Sequence, residues 1–495
     1  MTLRYLAKDT ALLYQQVTGK DSITELLWGD RLTIVEEGAD GARHKIKARG
    51  HTGYVERDAV GEESLLELYF IDVGQGDGVL VRTPDNRHIM IDGGFKRASQ
   101  PTGKNAADFV DWKFVRDYGL EDIVLDAMIV THNDADHYGG LSDILDVKQT
   151  SELDANKVTV EGFYHAGVAW WKNAEGGRWL GKTSEDGKFL IQLMGDRDEV
   201  LGALDDVAPQ RLQGEWAGLM GKVVETKTRD GSPTPIARIS HTDGYLPGYS
   251  AADGQTAIRI LAPVEFDVGG GRPGLHNYGA AASHNTNGNS VLLRVDYGSA
   301  RILLTGDLNS HSQRALLEDY EGEHEVFACD VAKACHHGSD DVSYNFLSAM
   351  KPSVTVISSG DAEQHDHPRP SIVAASALTG HREIANDRLV TPLVYSTELS
   401  RSLNLGKVSE ISWKDAAGAK VIRGADLTTV KVTSQVTKAG SLNPTAVTRS
   451  LNRTHMVAGL VYGLVNVRTD GKRILCATLN ENKNSWQVKI VMPRF

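Results

Sequence analysis

Residues 126–145, DAMIVTHNDADHYGGLSDIL, decide how this chain is read. The apolar run Ala127 to Val130 has the length and composition of a buried strand, and Leu141, Ile144 and Leu145 recur at helical spacing. Between them stand Thr131, His132, Asn133, Asp134, Ala135, Asp136 and His137, with Gly139 and Gly140 just beyond. Four candidate metal ligands therefore fall within six residues on one strand-to-helix turn. His132 and Asp134, two apart, can point the same way, and Asp136 and His137 are expected from the next bend. Ligands gathered on one short loop lose little chain entropy in assembling round a metal. Four such groups exceed what one zinc ion takes from one loop, so the spacing suggests two metals side by side. The bland alternative is a polar turn, because Asp and Asn are common turn residues.

Working outward, LLELYFIDVGQGDGVLVRTPDNRHIMIDGG from Leu65 reads as three strands with tight turns. Gly74 and Gly76 permit the positive φ or close backbone approach that the floor of a metal site needs. Asp77 is either near the site or a turn-capping carboxylate, and Asp92, ending a strand, is expected to support the metal loop from behind. Downstream, NGNSVLLRVDYGSARILLTGDL forms two apolar strands about Tyr297-Gly298-Ser299, with Asp307 at the end of the second. A carboxylate leaving a buried strand there is placed to bridge two metals. Its alternative is a helix N-cap before Leu308. The strand Val331 to Ala334 ends in Cys335-His336-His337-Gly338-Ser339, and the strand Ser353 to Ser358 precedes Gln364-His365-Asp366-His367-Pro368-Arg369-Pro370. Adjacent histidines at a strand end cannot point the same way, so one of His336 and His337 binds metal while the other faces substrate or a supporting partner.

The loop resembles the HxHxDH signature of the metallo-β-lactamase superfamily, with Asp134 where the second His of the signature stands. The same substitution marks the hydrolase domain of the ComEC/Rec2 competence proteins. The segments FIDVGQGDGVLV, IDGG, NGNSVLLR…LLTGDL and HHGS follow in that family's order, and HPRP matches its HPHP with Arg in place of the second His. The resemblance covers about residues 65 to 400 and implies an α/β fold, a four-layer αββα sandwich with a dinuclear centre at one end of its two sheets. Carried over residue by residue, His132, Asp134 and His337 hold one metal, Asp136, His137 and His367 the other, and Asp307 bridges them. His336 becomes a phosphate contact or proton donor, with the reverse assignment of His336 and His337 open. Asn289 and Ser290 are expected near the mouth of the site, and Asp77 close by. Arg369 either clamps a phosphate or is a surface residue. The oxygen ligand Asp134 hardens the first site, making Mn²⁺ an alternative to Zn²⁺.

The remainder sets the context. Residues 1–60 carry short strands with Gly-rich turns, and WGDRL…GYV resembles bacterial SH3-like domains, which implies a packing or partner-docking β module. Residues 61–415 are assigned to the hydrolase domain, with a Gly-rich insertion at about 167–255, and 416–495 to a β-rich extension or added edge strands. Trp170, Trp171, Trp179 and Trp216 in the insertion either stack on a ligand or pack locally, local packing being favoured. A helix is expected at 104–119 and a strand from Val158 to His165. Three cysteines without a CxxC imply no disulfide framework. No apolar run reaches the roughly 18 residues that cross a bilayer, and MTLRYLAKDTALLYQQ has no apolar signal core, so a cytoplasmic protein without membrane contact is expected. The net charge of −12 argues against an extended basic surface that coats nucleic acid.

Two cations about 4 Å apart acidify a shared water and neutralise an attacked phosphoryl group. Together with the resemblance, this implies a metal-dependent phosphodiesterase with catalytic Asp136 and His336, acting on DNA as a nuclease. The rivals are hydrolysis of a small phosphodiester, such as a cyclic nucleotide or choline phosphate ester, and a non-catalytic scaffold.

Overall fold

The computed structural model describes residues 2–38, 42–100, 103–147, 153–252, 255–360, 367–397, 404–415, 417–436, 445–453, 455–458, 463–480 and 484–495. Gln364, His365 and Asp366 lie outside these.

Two sheets carry the structure. A nine-stranded sheet runs, in spatial order, Ile236–Arg238, Phe163–His165, Ala127–Val130, His88–Ile91, Val79–Arg82, Leu66–Ile71, Leu464–Thr469, Ile474–Asn480 and Ser485–Val491. The strands from His88–Ile91 outward to Ile236–Arg238 pair in parallel, and the others are antiparallel. Period-2 alternation sorts its side chains. Leu68, Phe70, Ile89, Ile91, Ala127 and Ile129 enter a core shared with the second sheet. Their neighbours Tyr69, Leu80, Met90, Met128 and Val130 pack on helices instead. Those helices are Ala106–Asp111, Ala135–Leu145, Arg197–Leu204 and Gly214–Glu225.

The second sheet has six strands in the order Thr256–Ala262, Leu292–Tyr297, Ala300–Leu304, Val331–Lys333, Val354–Ile357 and Leu393–Ser396. Leu293, Ile302, Leu304, Val331 and Val354 face the first sheet, while Leu303, Ala332 and Ile357 meet the helices Ser310–Asp319, Tyr344–Met350 and Pro370–Thr379. From Ala300–Leu304 onward its strands are parallel. Both sheets therefore end a run of parallel strands at one rim, where loops from their carboxyl ends can meet.

The expected mixed α/β arrangement is present, and individual elements differ locally. The segment 104–119 divides into an α-helix, Ala106–Asp111, and a wider π-type turn, Trp112–Asp117. The expected strand from Val158 splits in two, with Val158–Val160 pairing Ile123–Leu125 and Phe163–His165 joining the large sheet. The C-terminal segment also divides. Glu410–Asp415 pairs with Gly418–Arg423 and Lys431–Val436 with Thr445–Ser450 as separate ribbons, whereas the last three strands complete the nine-stranded sheet beside Leu66–Ile71. Three of the insertion tryptophans, Trp170, Trp171 and Trp216, are buried, and Trp179 is 37% exposed.

Residues before 62 form a separate seven-stranded sheet with its own core of Leu6, Leu13, Leu26, Leu32, Ile46 and Val55. It rests on the last three strands, where Leu27, Trp28 and Leu65 pack with Leu475, Ala477 and Trp486. Arg468 fastens the two parts. Its guanidinium pairs with Asp30 at 2.8 Å and donates to the carbonyls of Leu27 (3.2 Å) and Trp28 (2.6 Å), all of it buried. Removing one partner of such a pair strands the other charge in the interior. Arg468→Met is expected to lower stability by about 3–5 kcal/mol, read from urea unfolding. A loss under about 1 kcal/mol would show the pair to be dispensable.

Candidate metal centre

The two-sheet rim gathers the expected residues. Gly76, at φ 114°, carries the Gly74–Gly78 turn so close to the metal loop that a Cβ there would stand 1.9 Å from the Asp136 carbonyl oxygen. A Cβ on Gly140 would meet the Gly93 carbonyl at 1.9 Å, so the helix Ala135–Leu145 lies backbone against backbone on the IDGG turn. These contacts fix where the first helical turn, with Asp136 and His137, sits. The bend expected for those two residues is thus the start of the helix. Trp170 braces the loop from the other side by donating its indole N–H to the Asn133 carbonyl at 2.8 Å.

Two imidazoles meet at the centre. His137 Nε2 and His337 Nε2 are 3.3 Å apart, and Asp307 Oδ2 lies 3.2 Å from the first and 2.8 Å from the second. Each ring has a carboxylate behind it, Asp92 at 2.8 Å from His137 Nδ1 and Asp77 at 3.2 Å from His337 Nδ1. Asp92 also accepts from the amide and hydroxyl of Thr131, at 2.8 and 2.6 Å. A carboxylate on Nδ1 fixes the tautomer and leaves Nε2 for a metal. Asp136 reaches the same point, 3.7 Å from His337 Nε2, and Gln75 donates to it at 3.4 Å.

A second group lies beside the first. His132 and His137 rings are 4.0 Å apart, and Asp134 stands 3.7 Å from His132 Nε2. Thr286 donates to Asp134 at 2.8 Å, and Ser290 lies 3.3 Å from His132 Nδ1 while accepting from the Asp307 amide at 3.1 Å. Neither aspartate side chain makes a helix-capping hydrogen bond. Asp134 precedes the helix Ala135–Leu145 without capping it, and the helix after Asp307 is capped by Asn309.

The resemblance assigns His337 to one ion with His132 and Asp134. In the structure His337 Nε2 lies 3.3 Å from His137 Nε2 and 3.7 Å from Asp136, residues the resemblance assigns to the other ion. Chain order does not reveal which of two adjoining donor sets a distant strand end will join. His367 is buried with its ring centroid 5.8 Å from that of His336 and 6.4 Å from that of His337. Arg369 starts the helix Pro370–Thr379, its amide donating to the Gly338 carbonyl at 2.9 Å, and its Nε is buried with no hydrogen-bond partner among the described residues. Ser290 is fully buried, deeper than the expected mouth. Asn289 uses its amide nitrogen on the carbonyls of His276 and Asn285, both at 3.0 Å. Two residues earlier, Asn287 reaches His336 Nε2 at 3.4 Å. Both adjacent histidines take positive φ, 48° and 53°, and the His336 side chain is 25% exposed against 1% for His337. His165, at the end of its strand, is buried with Nε2 on the Gly195 carbonyl at 3.1 Å. Cys335 is likewise buried.

Sequence reasoning missed Lys333, Thr286, Asn287 and Gln75. Lys333 had a visible signal, an ionisable residue in the apolar strand VAKA just ahead of HHGS.

The donors fit divalent cations. His132 Nε2 and Asp307 Oδ1 are buried with no hydrogen-bond partner among the described residues, and Asp77, His137, Asp307 and His337 bring one ligand atom each within 4.8 Å of one another. The field already favours positive charge. Burial opposes the imidazolium of His337, yet Asp307 and Asp77 push its pKa up to about 10, and Asp307 and Asp92 hold that of His137 well above its ordinary value in the same way. Burial and the neighbouring Asp136 push Asp134 up to about 7. Burial drives His132 the other way, to the neutral form that ligates.

A cation that replaces these protons must release them, so affinity rises with pH. Between pH 8 and pH 6, Zn²⁺ or Mn²⁺ affinity is expected to fall by about tenfold per pH unit for each proton displaced, measured by competition with a chelator of known pH dependence. A flat profile would contradict this account of the site.

Residues 71–360, more than half of the chain, match the Metallo-beta-lactamase superfamily. Competence protein ComA of Neisseria gonorrhoeae is 38% identical over 87 residues, 17% of this chain and 12% of that protein. ComE operon protein 3 of Bacillus subtilis is 22% identical over 316 residues, 62% of this chain and 30% of that protein. The matched segments thus span under a third of either relative. Among solved structures, a diphosphatase from the PhnP family aligns over 59% of this chain and 86% of its own at 11% identity, with a TM-score of 0.26. No helix among the described residues is long and apolar enough to cross a membrane. With the donor cluster and the motif-bearing loops from Asp77 to HHGS inside the matched span, the chain belongs to the metallo-β-lactamase superfamily of hydrolases.

Proposed function

We propose that the chain is a phosphodiesterase using two divalent ions, Zn²⁺ or Mn²⁺, and that its substrate is DNA. The observation that carries this is the convergence of Asp307, His137, His337 and Asp136 on one point, with His132 and Asp134 beside it through the His132–His137 ring contact. Ions held there supply Lewis acidity and a nucleophilic water at neutral pH.

The chain's own residues do the rest. Asp307 and Asp136 supply the carboxylates, while Asp92 and Asp77 hold His137 and His337 with Nε2 forward. His336, whose burial lowers its pKa, is neutral near pH 7, and its Nε2 stands beside Asn287 and 4.0 Å from Asp307. As the most exposed of these imidazoles, it is our choice to contact a phosphate; to pass a proton to the departing oxygen it would first take one up, which the negative charge of an approaching phosphate favours. Arg369, whose buried Nε has no hydrogen-bond partner among the described residues, is the candidate phosphate clamp, and His367 the last ligand. Asn289 and Ser290 shape the wall rather than the opening.

DNA is favoured by the ComEC-type motifs, HNDADH with Asp134 above all, and by the competence proteins among the relatives. A small phosphodiester is the second reading, favoured by the net charge of −12. We read the two sheets and their outer helices as a four-layer αββα sandwich. The N-terminal sheet is read as an SH3-like module: it packs on the chain's own last strands and also meets Asp117 through Arg49 and Asn86 through Tyr5, and the rest of its surface is read as a docking face for a protein partner. A cytoplasmic setting suits these roles.

Linear single- and double-stranded DNA should be cut with Mn²⁺ or Zn²⁺ and remain intact with EDTA. Asp136→Ala should reduce cleavage to background with an unchanged circular dichroism spectrum. Turnover of a bis-aryl phosphate with DNA left intact would move the substrate to a small phosphodiester, and full activity in Asp136→Ala would refute the site.

A further inference from the structure

Lys333 ends the strand Val331–Lys333, and alternation puts it on the same face as Val331, toward the other sheet. Its side chain is fully buried. An ammonium taken out of water costs several kcal/mol unless its protons are met by acceptors. Here the ammonium donates to the Gly306 carbonyl at 2.8 Å and lies against Asp77 Oδ2 in a short ion pair, with Asp307 Oδ1 farther off at 3.7 Å. Burial opposes its charge, but Asp77 and Asp307 raise its pKa, so it stays an ammonium.

The geometry assigns Lys333 a positioning role: it reserves Asp77 for His337 and aims Asp307 at the ion site. This rests on the two-metal reading above. Asp77 has two ways to act. Its carboxylate lies among the four groups whose ligand atoms fall within 4.8 Å of one another, so it has the reach to bind an ion itself. It also stands 3.2 Å from His337 Nδ1, where it fixes that ring. With Oδ2 tied to Lys333, Oδ1 is left for the imidazole, and Asp77 acts behind His337 instead of competing for the cation. Lys333 further holds the Gly306 carbonyl, the peptide just ahead of Asp307, which the His336 amide also reaches at 3.3 Å. One ammonium therefore links the glycine turn of the first sheet to the Asp307 and His336–His337 ends of the second. A compact three-donor cation suits this point, where the planar fork of Arg would not.

The test compares the full chain with Lys333→Met and with the double variant Lys333→Met/Asp77→Asn, which removes both buried charges and guards against a folding defect in the single variant. In the metal-free proteins, side-chain ¹⁵N–¹H spectra report whether the His337 Nδ1–H is held on Asp77 or exchanges with water, and chelator competition then gives Mn²⁺ affinity. The expected result is a slowly exchanging Nδ1–H on His337 in the native chain and an exchange-broadened signal in both variants. Affinity should fall about 10- to 100-fold. Thermal melting of the double variant should stay close to native, separating positioning from mere stability. If either folded variant keeps the native Nδ1–H exchange and an affinity within twofold, the role is overturned. If the native chain binds no Mn²⁺, the two-metal reading fails, while the exchange comparison still decides what Lys333 does for His337.

Discussion

The carboxylate of Asp307 is the point on which the structure turns. It leaves the end of a strand in the six-stranded sheet and meets His137, which belongs to a helix carried by the nine-stranded sheet. The same oxygen meets His337 from a neighbouring strand end. An ionised carboxylate and two imidazoles in a water-poor rim are tolerable only if their charges compensate. Among themselves they compensate by protonation: burial acts against the carboxylate's charge, yet His337 and His137 hold Asp307 well below the usual carboxylate range. A divalent cation satisfies the same field with fewer protons, so the arrangement serves both the apo fold and the loaded site.

Everything farther out keeps that point in place. The inter-sheet core sets the separation of the two strand ends, and the glycine contacts at Gly76 and Gly140 set the height of the first helical turn. Carboxylates behind the rings fix their rotation. The N-terminal sheet acts more remotely. It covers the outer face of the C-terminal strands, and those strands extend the nine-stranded sheet from Leu66–Ile71, whose chain runs straight on into the turn bearing Asp77. The buried Asp30–Arg468 pair links this module to the sheet that ends at the metal loop.

Much of this was legible because local pattern and tertiary role agree. Ala127 to Val130 reads as a strand in sequence and is one, since a short β-type run buried on both faces has few other uses. The ligand candidates of the HNDADH loop, TGD and HHGS all arrive at one rim. The helix Ala282–Gly288 was invisible for a physical reason. ASHNTNG has no apolar stripe, and Asn285 secures it by bonding the Tyr278 amide and the Gly279 carbonyl, contacts that exist only in the folded chain. Thr286 and Asn287, which touch Asp134 and His336, were lost with it. Lys333 was read as part of an apolar strand because periodicity does not price a buried charge. The partition of His337 between donor sets depends on how two sheets are stacked, which no local window contains.

The most direct measurement is anomalous X-ray diffraction from crystals soaked in Mn²⁺ or Zn²⁺. The account predicts two peaks about 4 Å apart on either side of Asp307, one contacting His137 and His337 and the other His132 and Asp134. A single peak remote from Asp307, or none at saturating metal, would contradict it.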